Sequence, residues 1–256
     1  MTDPAHAASH KPLAGKAALI SGGARRLGAV IACALHEAGA NVVLHYRSSA
    51  EAATTLAGEL NGIRRGSAML AQCDLLDTAS LERLAGSATA AFGRLDILVN
   101  NASTFYPTPM GEIGERAWND LIGTNLKAPL FLAQAAAPAL HENGGLILNL
   151  VDIHGMRPLR RHPVYSIAKA GLIMLTKSLA RELGPQVRVN AIAPGPVMWP
   201  ETGVDEVLRR RIIERTALKR GGSPEDVARA ALYFACDAPF VTGQVLAVDG
   251  GRSVGW

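Results

Sequence analysis

One turn near the start constrains this chain more than any other feature. Ser21-Gly22-Gly23-Ala24-Arg25-Arg26-Leu27-Gly28 separates a short apolar run at 16–21 from small and apolar residues at helical spacing over 27–38. A short apolar block predicts a strand, and apolar residues recurring every three to four positions predict a helix, so the glycines mark a strand, turn, helix unit. Glycine permits close backbone approach there, and the N-terminus of the following helix attracts phosphate. The unit repeats. Strands are expected at 41–45, 67–73, 95–100, 145–151, 187–192 and 244–249. Helices are expected at 50–60 and 80–92, as a pair over 115–142, and from Pro163 onward.

Strands alternating with helices imply parallel pairing through right-handed crossovers, with ligands at the carboxyl ends of the strands. The expected architecture is α/β: a single Rossmann-type doubly wound parallel sheet of about seven strands with helices on both faces. Of the 256 residues, 1–12 are expected to form a flexible tail and 13–256 a single domain. Pro194, Gly195, Pro196 and Pro200 interrupt the rhythm before a charged helical stretch at 205–216, so the region 196–218 is a candidate substrate lid. Ser223-Pro224-Glu225-Asp226 is a compact helix start, with a cap, a proline at the first helical position and an acid three residues after the cap.

A net charge of +4 without a long basic run argues against a nucleic-acid partner. Cys33, Cys73 and Cys236 are too few and too scattered for a disulfide framework or clustered metal ligands, so no metal is expected. No apolar stretch approaches a membrane span, and a cytoplasmic location is expected.

The second strand ends in His45-Tyr46-Arg47-Ser48-Ser49. No acid stands there to bind a ribose 2′-hydroxyl, whereas Arg47 with two serines suits a 2′-phosphate, so NADPH/NADP+ is expected over NADH. Arg26 occupies a place where glycine is common and brings a permanent cation to the pyrophosphate. Asp74, followed by Leu75, accepts from the adenine amine or caps a turn; both remain open. Tyr165 and Lys169 lie four apart on one helical face, where the lysine cation is expected to lower the phenol's pKa and leave a proton donor beside the carbon that receives hydride. Asp152 precedes Tyr165 by thirteen residues. An ionised carboxylate only accepts, so Asp152 suits a substrate with N–H groups or one needing relayed protons.

The glycine turn at 21–28, Asn100-Asn101-Ala102, Asn125, Tyr165-x-x-x-Lys169 and Pro194-Gly195 resemble the short-chain dehydrogenase/reductase family over almost the whole chain. Three departures coincide: Arg26 in place of glycine, Ser103 in place of glycine after Asn-Asn-Ala, and Asp152 in place of serine. Together with His45-Tyr46 and the stretch running from Asn100 through Phe105 to Pro109, they resemble the pteridine reductases. The order Arg47-Ser48 and the loop Val197-Met198-Trp199-Pro200 depart from that pattern.

The resemblance implies a flat ring, of a pterin or of dihydrofolate, held between nicotinamide and Phe105. Arg26, Ser103, Asp152 and Tyr165 would surround its polar edge. Cofactor contacts are expected from Gly22, Arg25, Arg26, Leu27, Gly28, residues 45–49, Asp74, Leu75, Asn101, Ala102, Ser103, Tyr165, Lys169, Pro194, Gly195 and Val197. Asn125 would anchor a water chain to Lys169, and Trp199 would either cover the substrate or anchor the lid. The resemblance also implies a homotetramer, which the small and apolar residues on several faces of the helix over 165–183 would suit. Two alternatives stay open: a reductase of carbonyls or acyl thioesters, and an NADPH-binding sensor without chemistry.

Overall fold

The structure, a computed structural model, describes residues 11–199 and 205–255. Seven parallel strands form one sheet in the order β3-β2-β1-β4-β5-β6-β7. They are β1 (Ala17–Ile20), β2 (Asn41–Tyr46), β3 (Ala68–Gln72), β4 (Ile97–Asn100), β5 (Leu146–Leu150), β6 (Arg188–Pro194) and β7 (Val245–Val248). The helices are α1 (Arg26–Glu37), α2 (Ala50–Ile63), α3 (Thr78–Phe92), α4 (Glu115–Ile122), α5 (Ala128–Glu142), α6 (Pro163–Glu182), α7 (Glu206–Glu214) and α8 (Pro224–Leu232).

The sheet is apolar on both sides because its side chains alternate between two cores. Ala18, Ile20, Val42, Leu44, Ile97, Val99, Leu146 and Leu148 face one core with Ile31 and Leu35 of α1, Leu56 and Leu60 of α2, and Val227 of α8. Leu19, Val43, Leu98, Ile147 and Val189 face the other with Leu81 and Leu84 of α3, Leu132 and Leu140 of α5, and Ala180 of α6. The strand order reverses direction between β1 and β4, which opens a crevice at their carboxyl ends. There Ser21 N–H donates to Val99 O over 3.0 Å and Asn101 N–H donates to Ser21 Oγ over 2.9 Å.

Two local expectations are revised. The helix pair over 115–142 is one helical run in which α4 passes into α5 through a π-helical turn at Gly123–Lys127. Pro129, at the start of α5, has no N–H to continue the regular ladder, and the wider turn is the local answer. At the start of the expected domain, Lys11 O accepts from Ala14 N–H over 3.0 Å, and fully buried Leu13 donates to Ala38 O over 2.9 Å. Residues 1–10 of the expected tail lie outside the described residues. β6 also extends through Pro194, whose missing N–H does not matter at the last ladder position.

The helix start at Ser223 forms the expected capping box with Asp226. Of the candidate lid, Pro196–Trp199 and α7 are described, whereas Pro200 and residues 201–204 lie outside the described residues. α7 buries none of its residues. Its attachments include Arg209 over the Trp199 ring at 5.0 Å and Arg252 Nη1 on Ile212 O at 3.1 Å.

Candidate active site

The glycine turn is shaped by what a Cβ would strike. At Gly28 it would lie 2.2 Å from Gly22 O and 2.5 Å from Asn101 Nδ2, so only glycine lets α1 start this close to the turn. Gly22 has φ +61, a left-handed conformation that favours glycine. Arg26 also takes a left-handed φ of +53, which explains why glycine suits that place and implies strain of about 1 kcal/mol or more. Its guanidinium Nη2 donates to Trp199 O over 3.1 Å, tying the turn to the segment leading toward α7. The first turn of α1 has no side-chain cap, so its N–H groups are suited to an anion.

His45 lines the cleft and also braces the glycine turn. Its ring is buried: Nδ1 accepts Gly22 N–H over 3.1 Å, which puts the proton on Nε2, where it is donated to Cys73 O over 3.2 Å. Burial pushes the imidazole pKa down, with the Cys73 carbonyl opposing, so the ring is a neutral brace for the glycine turn. The carboxylate of Asp74 takes Leu76 N–H over 3.0 Å, which is the turn-capping alternative. Arg47 and Ser48 are exposed just beyond β2, and Ser49 begins α2 with its hydroxyl making no capping bond.

Asp152 and Tyr165 meet because a short helical turn at Ile153–Gly155 folds back onto α6. At Gly155 a Cβ would lie 2.8 Å from the Lys169 carbonyl carbon. Asp152 Oδ1 accepts His154 N–H over 2.8 Å, and Oδ2 accepts the Tyr165 hydroxyl over 2.8 Å. Lys169 Nζ donates to Leu150 O over 2.8 Å and stands 5.7 Å from the Tyr165 ring centre.

The expected lowering of the phenol's pKa is overturned. Burial raises it well above the usual phenol range, the Asp152 charge and hydrogen bond add to the rise, and only Ser103 opposes. Lys169, enclosed in protein, is itself pushed down to about 8 by burial, with Asp152 opposing. A spacing of four residues reveals the cation but not the loss of water around the phenol, which is the largest cause of its rise.

Asn125, fully buried in the π-turn, donates through Nδ2 to Leu121 O over 2.9 Å and to Thr104 O over 3.0 Å. Its Oδ1 accepts the Ser103 hydroxyl over 2.5 Å. Its amide therefore holds the 103–104 loop and makes no direct contact with Lys169. Phe105 is half-exposed, stacked on His162 at 4.7 Å and edge-on to Tyr165 at 4.8 Å.

A cleft of about 680 Å³ joins the parts. Gly22, Arg25, Arg26, Leu27, Gly28, residues 45–49, Asp74, Leu75, Asn101, Ala102, Ser103, Asp152, Tyr165, Lys169, Pro194, Gly195 and Val197 all line it. Phe105, Asn125 and Trp199 lie outside that lining. Arg47 with two serines stands past the end of β2, the glycines past the end of β1 admit backbone contact, and Asp152 with Tyr165 and Lys169 stands on the far side, past the end of β5. That donor set fits a dinucleotide phosphate. Among the described residues no cluster of three or more His, Cys, Asp or Glu could hold a metal ion, and no helix is long and apolar enough to cross a membrane.

A family model described as Enoyl-(Acyl carrier protein) reductase matches residues 22–253. The chain belongs to the short-chain dehydrogenase/reductase family. As a member it is an oxidoreductase that works with a nicotinamide dinucleotide. It is 38% identical to Pteridine reductase 1 of Leishmania tarentolae, over 93% of this chain and 96% of that one. It is 34% identical to the 3-oxoacyl-[acyl-carrier-protein] reductase FabG of Staphylococcus aureus (strain Mu50), over 92% and 97%. The crystal structure of a blue fluorescent protein from a metagenomic library in complex with NADPH superposes with a TM-score of 0.89 at 32% identity, covering 94% of this chain and 99% of that one.

Within this short-chain reductase, sequence reasoning passed over Thr104, Thr124 and Met198 in the cleft wall and His162 beside it. His162 carried a signal. It stands three residues before Tyr165, immediately ahead of the helix that carries the phenol, within reach of the same loop.

Proposed function

We propose that this short-chain reductase is an NADPH-dependent pteridine reductase that reduces a C=N bond of a pterin or dihydropterin, with dihydrofolate a possible further substrate. One observation carries the reading: Asp152 accepts the Tyr165 hydroxyl over 2.8 Å, so a carboxylate stands beside the proton donor where the substrate's polar edge would lie. The likeness to a pteridine reductase at 38% identity supports it. The preference for NADPH rests on Arg47, Ser48 and Ser49 at the end of β2 and on the absence of an acid there.

Bound NADPH supplies the hydride. The remaining chemistry belongs to the chain. Tyr165, with its pKa raised, keeps its proton at neutral pH and is the donor to the ring nitrogen. Losing that proton would leave a phenolate against a carboxylate, so a proton taken up from solvent through Asp152 has to restore the Tyr165 hydroxyl after each transfer. Lys169 contributes the compensating cation and a donor for the nicotinamide ribose. Ser103 and Asp152 offer a hydroxyl and a carboxylate to a ring that carries both donors and acceptors, a match that a simple ketone does not require. Asn125 holds the Ser103 hydroxyl in place.

A second reading, reduction of a carbonyl or acyl thioester, draws on the 34% identity to a 3-oxoacyl reductase and on the family model's description. NADPH consumption measured with dihydrobiopterin, dihydromonapterin, dihydrofolate, their oxidised forms and a set of carbonyl and acyl-thioester substrates separates the two. Turnover confined to carbonyls or thioesters contradicts the pterin reading. A homotetramer belongs to the same proposal, because α6 leaves Ile167 and Met174 51% and 60% exposed on a face that a second copy would cover. A monomer's mass by light scattering contradicts it.

A further inference from the structure

We infer that His162 is a specificity-determining residue, which fixes the plane of Phe105 and so sets where a flat ring lies relative to the Tyr165 hydroxyl. The substrate side of this inference rests on the pterin reading; the placement of Phe105 does not.

Phe105 belongs to a loop that Asn125 holds at Ser103 and Thr104, yet its own side chain is 48% exposed. A lone exposed phenyl ring turns freely about its side-chain bonds and makes a poor platform. Two contacts remove that freedom. The imidazole of His162 lies parallel to the phenyl ring, with centroids 4.7 Å apart and planes 9° apart. The Tyr165 ring meets it at 78°, with centroids 4.8 Å apart. Both geometries are favourable for aromatic pairs. His162 immediately precedes α6 and Tyr165 lies in its first turn, so Phe105 spans two rings carried by one rigid element.

His162 is itself held. Its Nδ1–H donates to Arg160 O over 3.0 Å, its backbone N–H donates to Leu159 O over 3.1 Å, and its carbonyl receives Ser166 N–H over 3.0 Å. The two loops are also joined through backbone, since Thr108 N–H donates to Arg161 O over 2.7 Å. The phenyl face covered by His162 cannot receive a substrate. The uncovered face is the platform, and its distance from the phenol hydroxyl is set by two ring contacts and one helix. Flat substrates depend on that distance, whereas a small acyclic carbonyl does not.

The His162 side chain makes no capping bond to α6, so its removal leaves the helix start intact. The test uses His162→Ala and His162→Phe in the full-length protein, with crystal structures and with KM and kcat for dihydrobiopterin and NADPH. In His162→Ala, Phe105 should leave its parent plane and KM for dihydrobiopterin should rise about 2- to 10-fold. The KM for NADPH should stay unchanged. His162→Phe should restore both the plane and KM, which a purely structural role for the imidazole would not produce. An unchanged Phe105 in His162→Ala overturns the inference, as does an unchanged KM in an enzyme that reduces pterins. If the parent reduces no pterin, the functional reading falls, and the Phe105 plane alone decides the inference.

Discussion

Asp152 receives the Tyr165 hydroxyl through Oδ2 and the His154 backbone N–H through Oδ1, both over 2.8 Å, so each carboxylate oxygen has one donor and the group cannot turn away without losing both. The neighbouring phenol is buried and raised, and the neighbouring ammonium is buried and lowered to about 8. Burial disfavours charge on each, and the three groups compensate one another only as a set. This coupling ties movement of a proton at any one of the three groups to the other two.

The lysine supplies a stability test. Its pKa in the folded protein is about 8 against 10.5 for the free side chain, so between those values the unfolded chain binds more protons and stability rises with pH. Urea unfolding of the cofactor-free parent and of Lys169→Met at pH 7.5 and 9.5 isolates this effect. The parent should gain on the variant at the higher pH, by up to about 1.4 kcal/mol per pH unit. A gap that is constant or moves the other way contradicts the buried cation.

Arg47 carries the choice of cofactor. Arg47→Ala should weaken NADPH about 10- to 100-fold, the value of a charge-assisted contact to phosphate, and leave NADH nearly unchanged. Fluorescence titration of both dinucleotides measures this. Equal losses for the two would place the guanidinium elsewhere.

Gly28 has no room for a methyl group, since its Cβ would fall 2.2 Å from Gly22 O, a backbone atom that cannot swing aside. Gly28→Ala should destabilise the fold by about 1–3 kcal/mol and abolish measurable dinucleotide binding. Thermal unfolding with and without NADPH reads both effects. Binding at the parent's affinity would show that the turn does not form the cradle.

Much of this was legible in the chain itself. The two-faced strands are near-continuous apolar runs, and Ala17–Ile20 with both neighbours buried could be little else than a central parallel strand. The cleft lining followed from the glycine turn and from strand ends, because the fold brings those ends together whatever lies between them. What stayed hidden depends on contacts across the sequence. Nothing in the residues around His45 tells that its ring reaches back to Gly22 and across to Cys73. The π-turn holding Asn125 is masked because a helix of either pitch displays similar apolar spacing. The phenol's pKa went the wrong way because sequence displays a nearby charge and conceals the loss of water around it.

The central claim is that the Asp152 carboxylate serves reduction of a planar nitrogen heterocycle through Tyr165, and Asp152→Ser tests it most directly. Steady-state NADPH oxidation with dihydrobiopterin, parent against variant, is the measurement. Loss of a proton-sharing partner should lower kcat by about 10²- to 10⁴-fold, with the KM for NADPH held near the parent's value. A variant that reduces dihydrobiopterin as well as the parent does would contradict the account.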